Sequence, residues 1–170
     1  WTGVNTGLTN FYVQSLAVSG PNLFAGTNGG AFLSTNSGTS WTAVNTGLTN
    51  TIVRSLAVSG TNLFAGTGGG GVFLSTNNGT SWTAVNIGLT NAVVLCLVMS
   101  GPNLFAGTYG GGVFLSTNNG TSWTDVTGGL TATTVWSLAV SGTNLFAGTD
   151  GGVFLSTNSG TRWTAGLTNT

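Results

Sequence analysis

Four side chains carry all the ordinary charges of this 170-residue chain: Arg54, Arg162, Asp125 and Asp150, with no Lys, Glu or His. General acid–base chemistry near neutral pH draws mainly on the three missing types. A glycosidase-like carboxylate pair would have to be Asp125 with Asp150. These lie in unlike contexts, WTDV and GTDGG, and nothing in the spacing makes them converge. Metal sites need clustered His, Cys or acids, and the chain offers one cysteine and two aspartates. The residues therefore predict no enzyme, no metal and no cofactor.

The same scarcity of charge excludes other classes. Two arginines cannot neutralise a phosphate backbone, so no nucleic-acid partner is expected. No apolar run approaches the roughly 20 residues of a transmembrane helix. A net charge of zero removes colloidal repulsion and favours self-association, making the chain itself the expected partner. With so few titrating groups, stability should depend little on pH. Cys96 is the only cysteine, so no intrachain disulfide exists. Its repeat counterparts are Ser15, Ser55 and Ser137, which predicts a small buried residue and not a reactive thiol. The chain opens at Trp1 without a signal-peptide pattern and reads as a mature or trimmed segment. A lysine-free, Thr/Asn-rich surface suits an extracellular or cell-surface location.

These sparse groups must be positioned by a repeat. Trp1, Trp41, Trp82, Trp123 and Trp163 recur every 40 or 41 residues. One unit contains WTAVN (41–45), VRSLAVS (53–59), NLFAGT (62–67) and GVFLSTN (71–77), each short, β-favouring and bounded by Gly or Asn. SGPN (19–22) and SGTN (59–62) match two-residue type II′ hairpins. GTNGG (26–30), GTGGGG (66–71), GTYGGG (107–112) and GTDGG (148–152) mark a second hairpin. STNNGTSW (75–82) and its copies at 34–41, 116–123 and 156–163 mark a third. Three successive hairpins predict an all-β propeller of four near-identical four-stranded antiparallel blades, in preference to a parallel β-helix. One repeat domain should span 1–170, with units near 1–40, 41–81, 82–122 and 123–162 and a surplus strand or tail at 163–170.

The third turn, S-T-N-x-G-x-x-W, is similar to the Asp-box of bacterial neuraminidase repeats, S-x-D-x-G-x-x-W. The fuller unit SLAVSGTNLFAGTxGGGVFLSTNxGTSW resembles Asp-box propellers of the photosystem II assembly-factor-like type, over essentially the whole chain. The resemblance implies a turn between third and fourth strands, remote from any active site. Here Asn36, Asn77, Asn118 and Asn158 stand where that family has Asp. Asn still accepts backbone N–H bonds in its own turn, and Trp41, Trp82, Trp123 and Trp163 should tuck beneath as structural staples. The sialidases of this family use an arginine triad, a tyrosine nucleophile assisted by Glu, and an acidic Asp; this chain cannot supply that set. An assembly-factor-like scaffold is a further role implied by resemblance alone.

Two segments compete for one slot. Residues 1–5 and 163–170 both read as fourth strands, so either could complete blade four and leave the other free for a neighbouring chain. A closed four-bladed ring, two chains in an eight-bladed ring, and an open assembly all remain consistent with this pattern.

Positions that differ among the copies are where function could sit. One inner-strand position reads Gln14, Arg54, Leu95 and Trp136; the glycine-rich hairpin reads Asn28, Gly68, Tyr109 and Asp150. Gln14, Arg54, Tyr109, Trp136 and Asp150 are candidate sugar-binding groups, against the alternative of drifting loop positions. Asn78-Gly79-Thr80 and Asn119-Gly120-Thr121 fit the N-glycosylation pattern. Two functional readings follow: a non-catalytic, self-associating extracellular structural module, or a lectin-like propeller binding carbohydrate or protein.

Overall fold

The computed structural model describes residues 2–165. It is all-β, with sixteen strands in four antiparallel sheets. The first blade is β1 (Val13–Ser19), β2 (Asn22–Thr27), β3 (Gly30–Ser34) and β4 (Thr42–Ala43). The second is β5 (Val53–Ser59), β6 (Asn62–Thr67), β7 (Val72–Ser75) and β8 (Thr83–Ala84). The third is β9 (Val94–Ser100), β10 (Asn103–Thr108), β11 (Val113–Ser116) and β12 (Thr124–Asp125). The fourth is β13 (Val135–Ser141), β14 (Asn144–Thr149), β15 (Gly152–Ser156) and β16 (Thr164–Ala165). Each sheet is a meander in chain order, the blade of a β-propeller.

The hairpins explain the order. Ser19 pairs with Asn22 and Ser59 with Asn62, leaving Gly20 and Gly60 first in two-residue loops at φ +57° and +59°. That backbone sign is the one a type II′ turn requires. The fourth strand is shorter than WTAVN suggested. After Val44 donates to Ala31 O, the side-chain Oδ1 of Asn45 takes the Ala31 N–H at 2.7 Å. A side chain thus ends the ladder; Asn86 does the same for Val72.

The recurrent turn has a fixed hydrogen-bond set. In its second copy Asn77 Oδ1 accepts from Ser75 Oγ and Ser81 N, while Gly79 N donates to Ser75 Oγ at 2.8 Å. Asn78 and Gly79 are consecutive left-handed residues, at φ 55° and 81°. Asn tolerates that region better than Ser, and Ser37 and Ser159 occupy the equivalent place at 58° and 56°. Ser37→Asn should therefore raise stability by about 0.5 kcal/mol in denaturant unfolding; a loss would contradict the assignment of backbone strain there.

Beneath each turn a tryptophan is buried: Trp41, Trp82, Trp123 and Trp163. Trp82 Nε1 donates to Val44 O at 2.7 Å and its N–H to Thr46 O at 2.8 Å. Val44 and Thr46 belong to the linker arriving from the preceding blade, so the tryptophan ties one blade to the next. The linker passes so close that a Cβ on Gly47 would lie 2.3 Å from Trp82 O. Gly7, Gly88 and Gly129 sit in the same contact.

The blades are packed in a row. Inner strands pack β1 on β5, β5 on β9 and β9 on β13, and among the described residues no comparable packing joins β13 to β1. Separate hydrophobic clusters fill the three junctions, joining Phe24 and Ala31 to Val53 and Leu56, Phe64 and Val72 to Val94 and Leu97, and Phe105 and Val113 to Val135. The fourth slot of blade four is held by Thr164–Ala165, paired to Leu155 and Phe154. Residues 2–5 form no strand; Val4 O instead accepts from Trp41 Nε1. Trp1 and the rest of the competing tail, 166–170, lie outside the described residues.

Candidate functional site

In each blade the variable inner-strand residue and the variable hairpin residue lie fourteen positions apart in sequence, at the end of the blade away from the box turn. The pairs are Gln14 with Asn28, Arg54 with Gly68, Leu95 with Tyr109, and Trp136 with Asp150. Register explains the meeting: Val13 pairs with Thr27 and Val135 with Thr149, with a bulge at the next residue in both. The bulge turns the variable side chain toward the hairpin tip. Gln14 Nε2 donates to Asn28 Oδ1 at 3.2 Å, and Trp136 Nε1 donates to Asp150 Oδ1.

Blades two to four bring these pairs to one open cleft of about 450 Å³, lined by Arg54, Gly68, Val93, Leu95, Tyr109 and Trp136. Tyr109 and Trp136 meet edge to face, with centroids 6.2 Å apart and planes at 71°. Both are more than half exposed, leaving ring surface for a ligand. Arg54 is half-buried, and its Nε has neither solvent nor a hydrogen-bond partner. A buried donor left unpaired is costly, and this one lies enclosed behind the cleft wall that the Arg54 side chain helps to form. Glycine at 68 makes room for it, since a Cβ there would stand 3.3 Å from Arg54 Nε.

Of the sequence candidates, Arg54, Tyr109 and Trp136 line the cleft, Asp150 orients Trp136, and Gln14 lies outside with Asn28. Leu95 occupies the variable inner-strand position without being a candidate binding group, and Val93 carries no sequence signal; both are apolar lining with no chemical signature. Asp125 caps Thr127 N at 2.8 Å in the linker and takes no part. Among the described residues no three His, Cys, Asp or Glu side chains cluster as metal ligands.

Cys96 lies in the junction between blades three and four, its thiol donating to Val135 O at 3.6 Å. Burial pushes its pKa from 9.0 up to about 12, partly offset by a hydrogen bond from the Gly107 backbone. In the unfolded chain the thiol ionises first, so folding stability is unaffected below pH 9 and declines as pH rises toward 12. The expected slope is about 1.4 kcal/mol per pH unit, and Cys96→Ser should abolish it in alkaline unfolding titrations.

No protein-family profile and no curated protein sequence matches the chain. Solved structures do. An ancestral GH74 enzyme superposes with TM-score 0.82 at 24% identity, over 100% of this chain and 26% of its own. The extracellular domain of a one-component system from B. thetaiotaomicron gives 0.73 at 20%, over 92% and 23%. The GH74 xyloglucanase of Xanthomonas campestris gives 0.70 at 16%, over 97% and 31%. At these identities the likeness establishes the fold, a β-propeller. The chain spans about a quarter to a third of each.

These neighbours overturn one expectation. Missing catalytic side chains suggested that the chain is not an enzyme, yet the same blade arrangement occurs in GH74 enzymes. The physical reason is that two catalytic carboxylates need only stand within about 10 Å of each other. They can come from segments far apart in a chain, so composition over 170 residues excludes nothing for a longer protein.

Proposed function

We propose that this chain is a ligand-recognition segment of an extracellular propeller, binding a saccharide in the cleft of blades two to four. The observation that carries the reading is the convergence of Arg54, Tyr109 and Trp136, the residues that break the repeat, on one cavity. A sugar ring presents a C–H face and a hydroxyl edge. The aromatic faces of Trp136 and Tyr109 suit the first, and the Arg54 guanidinium lining the cleft suits an oxygen acceptor on the second. Asp150 holds the indole from behind, so the stacking plane is set before the ligand arrives.

An extracellular location is supported by the neighbouring B. thetaiotaomicron extracellular domains and by the low-charge surface. Among the described residues no helix is long and apolar enough to cross a membrane. The recurring turn reads as an Asp-box whose carboxylate has become an amide, acting as scaffold, with Asn78 and Asn119 exposed as glycosylation acceptors. A glycan array probed with the labelled 170-residue chain tests the function. Binding to a defined saccharide set, lost in Trp136→Ala, is expected; an array without hits contradicts it.

A further inference from the structure

The two ends of the blade row carry matching unfilled contacts. At every internal junction a glycine of one blade receives a valine of the next: Gly26 receives Val53, Gly66 receives Val94 and Gly107 receives Val135. A Cβ on any of those glycines would lie 2.6–2.7 Å from the valine Cγ1. The fourth glycine, Gly148, has no such neighbour, meeting only Ser137 of its own blade. The fourth valine, Val13, is 42% exposed, whereas its three counterparts are fully buried.

The surroundings repeat the mismatch. Leu16 and Val18 on β1 are 61% and 66% exposed, while Leu56 and Leu97 are buried in junctions. At the opposite end Val153 is 55% exposed, and Ala31, Val72 and Val113 at the same position are at 0%. Phe146 is half-buried where Phe24, Phe64 and Phe105 are buried. A Cβ on Gly79, Gly120 or Gly160 of the following turn would lie 3.3–3.7 Å from one of those phenylalanines, whereas at Gly38 in the first turn the nearest atoms belong to Val4, Leu23 and Trp41.

We propose that these two faces form one interface, in which blade one of a second copy of this chain docks head to tail on blade four. The chain contains its own template, because the free leading face differs little from three faces already seen in contact. The free trailing face likewise repeats the three it would imitate. Blades one and four carry only two charges, Asp150 and Arg162, and Asp150 would stand opposite the uncharged Gln14 of the docked copy, as Tyr109 stands opposite Trp136. Such a heterologous contact yields a two-chain ring where its rotation closes and a longer row where it does not.

Native mass spectrometry of the full chain with Leu16→Asp and Val153→Asp tests this. Both positions are exposed in the isolated chain, so circular dichroism should remain native. Wild type should assemble, and each variant alone should be monomeric, with association weakened at least about 100-fold by a desolvated carboxylate. Mixing the variants should restore a heterodimer, because each keeps the face the other has lost. A monomeric wild type, a variant that still assembles, or a mixture that stays monomeric overturns the proposal.

Discussion

Replacing Trp82 by alanine should lower the unfolding free energy by about 3–5 kcal/mol and leave ligand affinity at the cleft unchanged. The indole is buried between the box turn and the linker, and it spends its N–H on Val44 O. Removal leaves a cavity and an unpaired carbonyl at the same place, two losses with one cause. Against a typical total of about 5–15 kcal/mol, that is a large fraction. The effect on binding should be absent because box turn and cleft occupy opposite ends of a blade. Urea unfolding followed by circular dichroism measures the first part. A loss under about 1 kcal/mol, well below the usual range for buried Trp, would show that the linker closes over the gap. Weakened binding with stability intact would move the box into the functional site.

Trp136→Ala carries the second large effect, with the opposite signature. Its indole is exposed, so stability should change by no more than about 0.5 kcal/mol. Saccharide affinity should fall at least about 30-fold, near 2 kcal/mol, as expected for an aromatic anchor at the centre of a site. Arg54→Ala should also weaken binding by removing the sole cation lining the cleft. Asp150→Asn is milder, since the amide oxygen still accepts from Trp136 Nε1 while losing the charge that strengthens the bond. Together the tryptophan substitutions separate the scaffold from the site: one costs stability alone, the other affinity alone.

The residues of the inner hairpins were legible to the last position. VRSLAVS and NLFAGT are the observed β5 and β6, because Gly60 and Thr61 between them permit only one tight reversal. The outer strand was overestimated, because Asn45 ends its ladder through a side chain, and an Asn in a strand-like run does not announce which backbone group it will take. The glycines of GLTN passed unnoticed for a related reason: the demand on Gly47 comes from Trp82 O, thirty-five residues away.

Differences among the repeats mark Gln14, Arg54, Tyr109, Trp136 and Asp150 in the sequence, since a position free of backbone duty can drift or specialise, and of these Gln14 lies away from the cleft. Convergence of the others was not legible. It depends on a bulge after Val53 and on the angle between neighbouring blades, neither of which has a local sequence signal. Openness of the row was hidden more completely. Val13 and Val53 read alike in the chain, and only the position of the blade decides that one is exposed and the other covered. Absence of catalytic groups proved the weakest guide, because the same blades recur in GH74 enzymes over about a quarter to a third of their length.

The most direct test of the account is isothermal titration of the saccharide best retained on the array, against wild type, Trp136→Ala and Gln14→Ala in parallel. Gln14 is the blade-one counterpart of Trp136 but lies outside the cleft with Asn28. The account predicts an unchanged dissociation constant for Gln14→Ala and at least about a 30-fold increase for Trp136→Ala. Equal effects from both, or none from either, would contradict a site built by the residues that break the repeat.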